Sequence, residues 1–147
     1  MFQTIMVATD GSHSAERAVE FAVDFAKRHD SKLVICTVTN QRLVKTTATE
    51  PSSASDAECV LCELSDIGAE VLRRAEQVAK SAGLKDYELT EAYGTNIGAT
   101  IVAQAEAVGA DHLVVASLGT TGLSRLLLGS VAASVIHHAH CPVTVVR

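Results

Sequence analysis

The chain has 147 residues, a net charge of −5 and a hydrophobic share of 48%. That length fits a single domain over residues 1–147, large enough to fold without a metal or a disulfide. The acidic balance argues against nonspecific binding to nucleic acid or an anionic membrane, and no apolar run approaches the roughly 20 residues that span a bilayer.

The N-terminus MFQTIMVATDG lacks a basic leader and starts directly as a strand, which predicts a cytoplasmic protein. TIMVA (4–8) is a short apolar run with β-branched residues and reads as a buried strand. TDGS breaks it. From Ser14 to His29, Ala15, Ala18, Val19, Ala22 and Ala26 recur at helical spacing opposite Glu16, Arg17, Glu20 and Asp24, the pattern of an amphipathic helix. KLVICTVT (32–39) is a second buried strand. Residues 40 to about 57 are rich in Ser and Thr, hold a proline, and read as a mobile surface loop. Leu64, Ile67, Val71, Ala75, Val78 and Ala82 then mark a long helix that Gly83 stops.

YELTEAY (87–93) is a third strand, more polar and so nearer an edge. Thr95 or Asn96 can cap a helix carrying Ile97, Ile101, Val102, Ala105 and Val108, ended by Gly109. HLVVAS (112–117) is a fourth strand. Val131, Ala132, Val135, Ile136 and Ala139 mark a fourth helix, and PVTVVR closes as a fifth strand. Aromatic residues are scarce, with three Phe, two Tyr and no Trp, so the core must be Ala, Val, Leu and Ile. Strands alternating with helices predict an α/β, doubly wound three-layer sandwich: a parallel sheet, right-handed crossovers and helices on both faces.

In such sheets ligands bind beyond the carboxyl ends of the strands, where strand order reverses. The segments leaving strands one and four, ATDGS and ASLGTTGLSRLLLGS, carry glycines, hydroxyls and a carboxylate. A loop entering a helix offers unpaired N–H groups and the positive end of the helix dipole, which suit a phosphate. Gly119, Gly122 and Gly129 let the backbone approach a ligand, Thr120, Thr121, Ser124 and Ser130 supply hydroxyls, and Arg125 is the loop's one cation. The same composition also fits a plain crossover with Ser130 as a helix N-cap. Walker A and Rossmann glycine patterns are absent.

Nine residues separate Gly119 from Gly129-Ser130. That spacing resembles the G-x2-G-x9-G-[ST] nucleotide loop of the universal stress protein family. IMVATDGSHSAERAVEFAVDFA and GSVAASVIHHAHCPVTVVR are similar to that family's first strand–helix and last helix–strand pairs. The resemblance implies a five-stranded sheet in the order 3-2-1-4-5. It also implies a homodimer in which the last strands, here Val143, Thr144, Val145 and Val146, pair antiparallel. It further implies an ATP-binding regulator with stress-linked signalling output and no catalytic residues, with Mg2+ as a companion ion and at most slow hydrolysis.

Mapped by the same resemblance, Asp10 lies near the ribose and adenine. Thr9 and Val38 are its pocket neighbours, with Val38 an apolar wall for the adenine. Gly119, Gly129 and Ser130 form the phosphate loop, and Ser117, Gly122 and Val131 complete the set. Two positions depart from the family's pattern. Ala8 stands where many members have Pro, and Ala116 where the ATP-binding pattern has Gly. A left-handed backbone at 116 would cost alanine about 1–2 kcal/mol, roughly tenfold in affinity; a methyl that meets the ligand directly would cost more, and an ordinary strand backbone with the ligand slightly away nearly nothing. Ala116 therefore keeps open a second reading, a dimeric interaction module that binds no nucleotide.

Other clusters are weaker. Cys59 and Cys62 form C-x-x-C but follow a polar loop, where a redox motif would follow a strand. Cys36 and Cys141 lie in apolar runs and read as small hydrophobes. His137, His138, His140 and Cys141 are metal-ligand types, but neighbours so close on a helix do not share a face. Ser12, Ser14 and His13 beside Asp10 read as helix-start chemistry rather than a nucleophile with its base.

Overall fold

A computed structural model describes residues 1–40, 54–119 and 127–147, with side chains described outside 54–65. Five strands and four helices alternate: β1 Thr4–Ala8, α1 His13–His29, β2 Lys32–Asn40, α2 Ala54–Ser81, β3 Tyr87–Gly94, α3 Ile97–Ala107, β4 His112–Ala116, α4 Ser130–His138 and β5 Val143–Val146. All neighbouring strands pair parallel, in the order β3-β2-β1-β4-β5. This is the expected doubly wound α/β sheet.

Strand alternation divides the core. Ile5, Val7, Leu33, Ile35 and Val114 face α1 and α2, while Met6, Val34, Cys36, Leu113 and Val115 face α3 and α4. The helices on either side contribute mostly Ala and Val, small enough for close packing on the sheet.

The caps follow from residue type. Ser12 Oγ accepts from the Ala15 N–H at 3.2 Å and opens α1. Asp30 ends it in the left-handed conformation, φ 54°, behind Lys27, Arg28 and His29 in the last turn. Asn96, one of the two expected caps, accepts from Ala99 N–H at 3.1 Å and opens α3. Gly83 and Gly109 stop their helices with φ of +72° and +65°.

Four sequence expectations shift. Residues 54–57 are helical rather than loop: Ala54 and Ala57 are strong helix formers. The remainder of that expected loop, 41–53, lies outside the described residues. Ile67 is 61% exposed because α2 buries the stripe Gly68, Leu72, Ala75, Ala79, about 100° round the helix from Ile67. Ile136 is 46% exposed beside the buried Val135, for the same reason. Ser130 is the first residue of α4, and the N-cap is Gly129, which has no side chain to cap with.

Candidate functional site

Strand order reverses between β1 and β4, which lie side by side at the middle of the sheet and lead to opposite edges. A cleft of about 290 Å³ opens beyond their carboxyl ends. Thr9, Asp10, Val38, Ala116, Ser117, Gly119, Gly129, Ser130 and Val131 all line it. Gly122, the remaining candidate, lies outside the described residues, as do Thr120, Thr121, Ser124 and Arg125.

The β1 side is a tight turn. Thr9 N–H donates to the Cys36 carbonyl at 2.8 Å, which extends β1 one residue along β2. Thr9 Oγ1 accepts from Gly11 N–H at 3.3 Å, and Gly11 takes φ +77° with Val71 close behind it. Asp10 Oδ1 accepts from Ser12 N–H at 2.9 Å. These contacts hold the Asp10 carboxylate at the cleft mouth, ahead of the N-terminus of α1.

The β4 side closes against it. A Cβ on Gly119 would stand 3.2 Å from Asp10 Oδ2, so the two loops nearly touch. Ser117 is 7% exposed and its N–H donates to the Val146 carbonyl at 2.8 Å. Its own carbonyl accepts from Gly129 N–H at 2.7 Å. A Cβ on Gly129 would meet that carbonyl oxygen at 3.0 Å, so glycine is required here by close approach, not by a positive φ. Both ends of the glycine loop are therefore pinned at one point. Beyond it, α4 begins without a side-chain cap, and Gly129, Ser130, Val131 and Ala132 at its start line the cleft.

Ala116 resolves an open question. Asp30 is the one non-glycine residue with positive φ among the described residues, so Ala116 has ordinary strand backbone, in register with Val146. Its methyl packs with the α1-side core. The left-handed penalty does not arise.

Sequence reasoning missed most of the apolar wall. Ile97 and Ile101 line the cleft, although their helical spacing marked them only as core. Leu127 and Leu128 form its rim and are 70% and 41% exposed. Three adjacent leucines, Leu126 to Leu128, ending a polar loop were the available signal. Among the described lining residues, Asp10 is the one ionisable side chain. The cleft thus combines an apolar slot, one carboxylate and the uncapped start of a helix.

The other candidates disperse. His138 Nδ1 lies 2.8 Å from the Ser134 carbonyl and His140 Nε2 lies 3.1 Å from the Ala110 carbonyl, so these rings point to different partners. No group of three or more His, Cys, Asp or Glu converges among the described residues. Burial pushes the Cys36 thiol up to about 12, which keeps it protonated and unreactive. The Cys59 and Cys62 side chains lie outside the described residues.

Comparison with known proteins agrees with the fold and the loop. The model of the universal stress protein family matches residues 1–147. A Staphylococcus aureus (strain USA300) protein named for that family is 32% identical over 146 residues, covering 99% of this chain and 84% of the relative. A solved universal stress protein in complex with cAMP is 34% identical with a TM-score of 0.75, over 99% of this chain and 97% of that one. A universal stress protein from Archaeoglobus fulgidus, solved with dAMP, shares the fold at 22% identity and TM-score 0.71, over 99% of this chain and 98% of that one. With the family model matched from the first residue to the last, the chain belongs to the universal stress protein family.

Proposed function

We propose that the cleft binds an adenine nucleotide and that the protein acts as a dimeric regulator rather than as an enzyme. The observation that carries this reading is the meeting of Asp10, Gly119 and the uncapped start of α4 around one apolar slot. Val38, Ile97 and Ile101 suit the flat face of a base. The Asp10 carboxylate accepts hydrogen bonds from ribose hydroxyls, and the amides at Ser130 and Val131, at the start of α4, receive phosphate oxygens. The relative solved with cAMP, at 34% identity, supports an adenine nucleotide as the ligand class. The described lining offers no base positioned against a phosphate, so any hydrolysis is slow.

β5 ends the sheet order, and its four residues are only half-buried. An edge of this kind recruits a partner strand, here β5 of a second copy running antiparallel. Among the described residues no helix is long and apolar enough to cross a membrane. The interaction-module reading drew on Ala116, and with that residue in unstrained strand backbone nothing favours it over nucleotide binding.

Isothermal calorimetry on the wild type with ATP, AMP and cAMP, with and without Mg2+, tests the reading. A micromolar constant for at least one, about −8 kcal/mol, is expected; no heat from any of the three at millimolar concentration rejects it. Asp10→Ala weakens the best ligand by about 10- to 100-fold, the worth of a charge-assisted hydrogen bond of about 1.5–3 kcal/mol. Undiminished affinity would remove Asp10 from the site. Ala116→Gly leaves affinity within about threefold, because the methyl faces the α1-side core; a gain of about tenfold, 1.4 kcal/mol, would show that it obstructs the ligand after all.

A further inference from the structure

At the opposite end of β4 from the cleft, His112 is 6% exposed. Its ring lies 4.5 Å from the Phe2 ring and 5.1 Å from the Phe25 ring, centroid to centroid. Nε2 is 2.9 Å from Thr144 Oγ1, the link that ties β4 to β5 by side chains. Among the described residues, Nδ1 of His112 is the one buried side-chain nitrogen or oxygen with no hydrogen-bond partner. A neutral ring tolerates this arrangement, since an unpaired lone pair among aromatic carbons loses little. A protonated ring does not, since it must donate from both nitrogens.

We propose that His112 is an acid-triggered release for the β5 edge: a proton at Nδ1 finds no acceptor in the closed packing, the ring turns toward water, and turning it breaks the Nε2–Thr144 link that ties β4 to β5. The groups that face the ring decide this direction. His29, on α1, packs on Phe25 at 4.4 Å, and its charge works against a second positive charge on His112. Asp111, at the start of β4, pulls the other way, but its two oxygens accept from Gln3 N–H at 2.7 Å and Thr4 N–H at 3.2 Å. The residues of β5 are uncharged, and the N-terminal contact is Phe2. Burial is the largest influence and holds the His112 ring below the ordinary histidine range.

The choice of β5 as the element that moves follows from how each neighbour is anchored. The N-terminal segment is held by Asp111, and α1 is embedded in the core through Ala18, Val19, Ala22, Val23 and Ala26. β5 is four residues long and ends this chain's sheet, bonded within the chain to β4 alone; in the proposed dimer its outer side meets only the equally short β5 of the second copy, so the release also loosens that seam. The sign is consistent. The folded ring has a lowered pKa, so the unfolded chain binds more protons, and the closed state loses stability as pH falls through the ordinary histidine value of about 6.5 and onward to the folded value. The release needs no nucleotide and stands apart from the binding reading.

Amide hydrogen exchange of Val143–Val146, corrected for the chemistry of exchange and followed from pH 7.5 to 5.5, tests it on the full chain. We expect protection to fall several-fold, up to about tenfold, in the wild type and to stay level in His112→Phe, which keeps the ring packing without a titrating nitrogen. His112→Gln, which keeps a polar partner for Thr144, serves if the Phe variant fails to fold. His29→Asn retains the acid response. Protection that falls equally in wild type and both His112 variants, or a His112 ring that titrates at or above the ordinary value by NMR, overturns the proposal.

Discussion

Gly98→Ala is expected to destabilise the protein by about 1–2 kcal/mol, read as a thermal midpoint lower by roughly 2–8 °C. Gly98 is buried in the first turn of α3, where that helix crosses α4. An added Cβ would stand 2.5 Å from Ser134 Oγ and 2.6 Å from Ser134 Cβ. Rotating the serine moves its Oγ but not its Cβ, so the two helices must separate. Alanine's better helix propensity, up to about 1 kcal/mol in a helix interior and less in a first turn, offsets only part of this. Ser134→Gly should be less harmful in the Gly98→Ala background than alone, because it removes the atom that collides. An unchanged midpoint in Gly98→Ala would mean that the helices do not approach so closely. Since Ile97, Ile101, Val131 and Ala132 form cleft walls on these two helices, the same variant should also weaken nucleotide binding.

Gly119→Val should lower nucleotide affinity at least a hundredfold, about 3 kcal/mol, while leaving unfolding stability within about 0.5 kcal/mol. Gly119 is exposed and is not among the glycines with positive φ, so valine meets no backbone strain. What it meets is Asp10, whose Oδ2 would lie 3.2 Å from the new Cβ, with two further methyls beyond. Either the carboxylate is displaced or the space between the loops is filled, and both outcomes remove the proposed ribose contact. Calorimetry with the best wild-type ligand, paired with urea unfolding, separates the two readouts. Retained affinity with normal stability would show that ligand does not pass between Asp10 and Gly119.

Periodicity located the elements well where one face decides burial. The unbroken apolar runs in TIMVA and KLVICTVT, and the three- and four-residue spacing in α1, reflect a sheet buried on both sides and helices buried on one. It failed at Ile67 and Ile136, because an apolar residue beside the buried stripe looks in sequence the same as one within it. It also failed at residues 54–57, where Ser and Asp read as loop although Ala54 and Ala57 sustain a helix. For the site, glycine spacing and the carboxylate after β1 were readable because each marks a local backbone demand. Ile97 and Ile101 were not, because a cleft wall built from a helix carries the pattern of a core helix. Whether Ala116 was strained depended on one φ angle, which composition does not encode.

The joining of Ser117 and Gly129 by a 2.7 Å hydrogen bond has a consequence for how this chain can vary. The two ends of the segment between them are fixed by the scaffold, one of them also bonded to β5. The segment's length therefore carries little thermodynamic weight, since doubling a loop costs only about 0.6 kcal/mol in closure entropy. Sequences of other lengths joined to Ser117 and Gly129 should leave the unfolding midpoint of the sheet little changed. If the cleft binds the proposed nucleotide, exchanging this segment between relatives should alter ligand preference on an unchanged frame.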